Sequence, residues 1–256
     1  MWKLANPGVF MAYSGRLLPW LWAATGAVLA IGLYQAFFVA PTDYQQGETV
    51  RIMFIHVPAA WFSMFCYTVM ATSAIGTLVW RHPLADVSVK AAIPIGAVFT
   101  AVTLITGSLW GKPMWGTWWV WDARLTSVLV LFLMYLGLMA LQNAFDDPGR
   151  AARVTAITVL VGFINIPIIK FSVDWWYTLH QPASVFRFDG PTIYPTILIP
   201  LLIMAAGFML LFFALHITAM RAEILRRRIR KITLLKARGS TGPERRTATF
   251  TTEPAE

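Results

Sequence analysis

Charge is scarce in this chain and confined to short bands. Only 13% of its 256 residues are Asp, Glu, Lys or Arg, against 57% hydrophobic, a balance outside that of soluble domains. The uncharged runs cover 17–42, 52–80, 91–111, 125–145, 154–169 and 190–220. A membrane-crossing helix needs about 20 mainly apolar residues. The chain therefore predicts an all-α membrane protein with six transmembrane helices. The run at 154–169 is the tightest fit, extended by Lys170, whose ammonium can snorkel to the interface. Cysteine is nearly absent. The single Cys66 excludes an intrachain disulfide, and the lack of a Cys-x-x-Cys-His run excludes a covalent c-type cytochrome. Cys66 itself reads as a small buried apolar residue. Walker, Ser–His–Asp and zinc-ligand patterns are all missing, so the chain is expected not to be an enzyme and to draw any energy from partners. The first apolar run is too long for a signal-peptide core and lacks a cleavage site, so it reads as a retained span.

The cations that remain are unevenly placed. Sixteen of the 21 Lys and Arg fall in the N-terminal lead, the second and fourth connections and the tail after Met220. Five, Arg51, Lys112, Arg124, Lys170 and Arg187, fall on the other side. By the positive-inside rule both termini are cytoplasmic and connections one, three and five face outward. Residues 1–219 then form the membrane domain and 220–256 a basic cytoplasmic tail. The tail begins helical, and its Ser/Thr/Pro/Gly/Glu-rich end predicts disorder. Because it abuts a span, its charge suits anionic lipid rather than nucleic acid.

Aromatics, by contrast, are abundant and clustered. Five tryptophans, Trp110, Trp115, Trp118, Trp119 and Trp121, lie within twelve residues of the third connection, read as an outward loop over 110–124. One interfacial tryptophan is ordinary. Five, with Gly111, Pro113, Gly116 and a closing Asp122, suggest a shaped platform for a flat apolar ligand. Asp122 suits an N-cap of the fourth span equally well.

Only four histidines are present, and two, His56 and His180, fall on the tryptophan side. They share an echo: His56-Val57-Pro58-Ala59 and His180-Gln181-Pro182-Ala183, each with Phe three residues further on. The echo predicts two rings presented alike, each just ahead of a helix start, with Pro58 in the first turn. A helix N-terminus favours neutral imidazole, the metal-binding form. Two histidines are too few for structural zinc but suffice as axial ligands to haem iron. Haem is flat and apolar with two carboxylates at one edge, which Arg51, Arg124 or Arg187 can pair.

The run from Trp115 to Asp122 resembles the tryptophan-rich signature of WWD-domain haem-handling proteins in cytochrome c maturation. The runs 51–61, through His56, and 174–183, through His180, resemble the other signatures of its six-span branch, the CcmC family. The resemblance covers span one to span six and leaves out the tail. It implies a protein of the bacterial inner membrane that holds haem b as transient cargo at the outer face. It also implies transfer to the membrane-anchored haem chaperone CcmE, with CcmD and the ABC-type pair CcmA and CcmB as partners. The family's ligands fall on His56 and His180, and its platform on Trp115, Trp118, Trp119 and Trp121, closed by Asp122. The alternatives are a haem permease and, less in keeping with histidines at helix mouths, a b-type redox subunit.

Overall fold

A computed structural model describes residues 6–239; the expected disordered end of the tail, 240–256, lies outside the described residues. Among those described there are helices and no named strand, and six helical segments are long and apolar enough to cross a membrane. Helix α1 (Pro7–Tyr34) opens with Pro7 in its first turn and Asn6 accepting from the Gly8 N–H at 2.7 Å. It runs into a π-helical turn, Gln35–Val39. Helix α2 spans Val50–Val79 and α3 spans Ala85–Trp115. Helix α4 (Ala123–Asn143) begins at the Asp122 cap, and α5 (Pro148–Gly162) begins at an Asp147 cap followed by proline. Helices α6 (Asn165–Trp175) and α7 (Pro195–Gly239) complete the bundle.

Three boundaries differ from the sequence expectation. Helix α2 starts at Val50, so Pro58 sits in its interior and His56 is its seventh residue, not a residue ahead of the helix. The turn over 46–51 closes on backbone bonds such as Arg51 N to Glu48 O, winding the chain into helix early. Helix α3 continues through Trp110 and Trp115 and stops only where Gly116 turns left-handed, at φ 76°. The connection expected over 110–124 is therefore non-helical only at 116–122. The fifth span is two helices broken at Phe163–Ile164. Pro167 has no N–H to offer the Phe163 carbonyl, which takes the Ile166 N–H at 3.0 Å instead.

The core lies where α2, α3, α4 and α7 meet, around Phe54, Tyr67, Ile93, Tyr135, Leu201 and Phe212, all essentially inaccessible. Cys66 is buried there as expected. Tyr135 donates to the Ser63 carbonyl at 2.7 Å, and a Cβ on Gly96 would run into its ring. The end away from the tryptophans is tied by charge. Buried Glu223 of α7 takes Lys90 of α3 at 3.0 Å, and Arg227 joins Glu223 to Asp86. Arg221 reaches across to the Met11 carbonyl of α1. Helix α7 does not break at 219–220. Its 45 residues span roughly 67 Å at 1.5 Å each, about twice a bilayer's hydrocarbon thickness.

Candidate functional site

At the tryptophan end lies a cavity walled by α2, α3, α4, α6, α7 and the connection 176–194. His56 of α2 and His180 of that connection both line it. His56 is fixed by helix geometry, with Nδ1 3.0 Å from Thr106 Oγ1 of α3. His180 sits on irregular backbone fifteen residues before α7, so the expected helix-start presentation does not hold for it. Its Nδ1 lies 2.9 Å from the Gln181 carbonyl. A carbonyl only accepts, so Nδ1 carries the proton and the Nε2 lone pair is left free. Burial, with the positive charge of Arg124, holds the His180 pKa below its ordinary value.

The tryptophans divide. Trp110, Trp115 and Trp119 line the cavity. Trp110 and Trp115 meet edge to face at 5.1 Å, and the Trp110 N–H donates to Gln46 at 2.9 Å. Trp118 and Trp121 are 56% and 76% exposed and stand outside the lining. Lys112 sits over the Trp118 ring, and Trp121 packs edge-on against Trp119. The buried N–H of Trp119 has no protein partner.

The three arginines also part ways. Arg124 lines the cavity beside the histidines, with its buried Nε–H unpartnered and only a long 3.5 Å contact to the Lys170 carbonyl. Arg51 is engaged elsewhere. Its guanidinium donates to the Ala36 and Phe37 carbonyls at 3.0 and 2.8 Å and pairs with Glu48, bracing the π turn. Arg187 reaches toward Asp189 at 4.0 Å and is outside the lining.

Asp122 faces the protein, not the cavity. One oxygen accepts from the Leu125 N–H at 2.7 Å, and the other accepts from the Thr178 hydroxyl. The Thr178 oxygen in turn accepts from the His180 N–H at 3.1 Å. The carboxylate thus caps α4 and tethers the segment that carries His180. The sequence alone gave no site role to Thr178, Gln181 or Lys170, nor to the Trp61–Phe186 contact at 4.9 Å that closes this segment on α2. The His-x-Pro-Ala-x-x-Phe echo held part of that signal, since Phe186 is its final residue.

The family model described as heme exporter protein C matches residues 1–235. The chain is 67% identical to the heme exporter protein C of Bradyrhizobium diazoefficiens over 234 residues, covering 91% of this chain and 89% of that one. It is 49% identical to the heme exporter protein C of Escherichia coli K12 over 229 residues, 88% of this chain and 92% of that protein. It is also 49% identical over 208 residues to a ccmC-like mitochondrial protein of Marchantia polymorpha named for cytochrome c biosynthesis, 81% of this chain and 88% of that one. With a match over nearly its whole length and relatives this similar from end to end, the chain belongs to the CcmC family, described as heme exporter protein C.

Proposed function

We propose that this chain holds haem b between His56 and His180 at the outer face of the bacterial inner membrane, as cargo for the membrane-anchored chaperone CcmE. CcmD and the ABC-type pair CcmA and CcmB are the partners this reading expects. One observation carries it: two histidines from distant segments, one with an open Nε2 lone pair, line a single cavity beside an arginine with an unspent donor. Porphyrin supplies four iron ligands and the histidines the remaining two. Trp115 and Trp119 give the macrocycle apolar walls. Arg124 and the Trp119 N–H offer charge-assisted and neutral donors to a propionate, whereas Arg51 and Arg187 have other engagements. Trp118 and Trp121, exposed and outside the cavity lining, present an aromatic surface to the incoming chaperone. Asp122 acts through Thr178 to hold the His180 segment in place. The protein contributes binding and orientation, and the bond to the chaperone draws on the chemistry of haem itself.

The test is the absorption spectrum of the purified chain. His56→Ala and His180→Ala should each lower co-purified haem and chaperone loading at least tenfold. A double variant that loads the chaperone as the parent does would sink the reading. The family's description as an exporter supports translocation as the second reading. Haem accumulating in sealed vesicles that contain this chain alone would favour it.

A further inference from the structure

Thr106 and Gly107 of α3 sit opposite His56 and have no part in the ligand set described above. The Thr106 hydroxyl has one proton, and two carbonyls of its own helix compete for it. The Val102 carbonyl is 2.6 Å away and the Thr103 carbonyl 3.3 Å. With its proton committed to Val102, Thr106 Oγ1 meets His56 Nδ1 at 3.0 Å with a lone pair. The shared proton must then belong to Nδ1, which leaves the Nε2 lone pair unprotonated. Gly107, the next residue, lies against the same ring. A Cβ built there would stand 3.0 Å from His56 Cε1, tighter than ordinary van der Waals contact. A side chain at 107 would require the imidazole to give way by a few tenths of an ångström.

We propose that Thr106 and Gly107 form a two-part seat for His56, in which the hydroxyl oxygen selects the Nδ1–H tautomer and the missing side chain admits the ring. Both are positioning residues, and the proposal rests on the reading of His56 as an iron ligand. A ligating histidine that donates its second N–H to an acceptor is a stronger donor to iron, and removing such an acceptor typically costs 10- to 100-fold in affinity. The seat also matches the arrangement at His180, where the Gln181 carbonyl accepts from Nδ1. The two rings thus present the same nitrogen from unrelated backbone settings, one helical and one irregular.

The experiment uses the full chain in detergent, titrated with ferric haem b and followed by absorption spectrum and reduction potential. Thr106→Val keeps the side-chain shape and removes the acceptor. It should weaken binding about 10- to 100-fold and raise the potential, since the ferric form loses more from a poorer ligand. Thr106→Ser keeps the hydroxyl and should bind like the parent. Gly107→Ala substitutes a better helix former. It should therefore weaken binding while leaving thermal stability equal or higher, a combination that a merely structural role does not produce. Parent-like affinity and potential in Thr106→Val overturn the seat, as does equal impairment by Val and Ser. Should Thr106→Val not fold, Gly107→Ala decides, and parent-like binding there overturns it. An unchanged spectrum in His56→Ala would instead remove the ligand reading beneath it.

Discussion

At the scale of single residues, the chemistry turns on which side chains are already engaged. Arg51 and Arg124 are equivalent as letters in the sequence, but Arg51 spends its guanidinium on carbonyls 14 and 15 residues back. Arg124 keeps a buried donor unspent. Residue type was legible in the sequence; prior engagement was not, because it depends on where a π turn leaves its carbonyls. His180 shows a second such effect. Burial and the Arg124 charge hold its pKa below 6.5, so its ring stays neutral and competent to ligate at neutral pH. The unfolded chain takes up that proton near pH 6.5 and the folded one only at lower pH. This group's contribution to stability is therefore full above pH 6.5 and declines as pH falls below it. Haem retention should be flat from about pH 8 to 6.5 and fall only on further acidification, followed by Soret absorbance against pH. Loss beginning above pH 7 would contradict the placement of His180 beside Arg124.

At the scale of elements, helix ends decide what the aromatic run can do. Gly116 ends α3 with a left-handed residue, and its N–H returns to the Lys112 carbonyl at 3.1 Å. Trp110 and Trp115 thus ride on a helix, while Trp118, Trp119 and Trp121 lie on the short connection. That split puts Trp119 on the cavity side and its neighbour Trp118 outside. Asp122 then works in two directions, toward α4 as a cap and toward Thr178 as a tether. The two functions can be separated. Asp122→Ala should lose about 1 kcal/mol of stability with the cap and also bind haem more weakly. Thr178→Val should keep the parent melting temperature and lose affinity alone. If Thr178→Val binds haem as the parent does, Asp122 matters only as a cap. Pro167 was a readable sign of the break between α5 and α6, whereas the Asp122–Thr178 tether, 56 residues apart in sequence, had no local sign.

At the scale of the whole molecule, the two ends of the bundle are built differently. One is tied by Glu223, Lys90, Arg227 and Asp86 across α3 and α7. The other opens into a cavity lined by aromatic residues and both candidate ligands. By the positive-inside rule, the asymmetry of sixteen cations against five predicts that the first end is cytoplasmic. Reporter fusions at residue 239 and within 116–122 provide the check: the first should be active in the cytoplasm and the second outside it. The reverse pattern would place the cavity on the cytoplasmic side and remove the proposed hand-over at the outer face.

The sequence alone determined the number of apolar spans, the clustering of tryptophan and the pairing of two histidines in like motifs. These are properties of composition and spacing, and solvation in a bilayer acts on them directly. Tertiary structure decided which of these residues meet. A helix start six residues ahead of His56, a glycine that ends α3 after Trp115 and a hydroxyl on Thr178 are each small local events. Their effect on function depends on helix packing, which sets the direction of every side chain they carry. The aromatic run resolved in this way into one cavity wall and one exposed face, with Asp122 joined to the segment that presents His180.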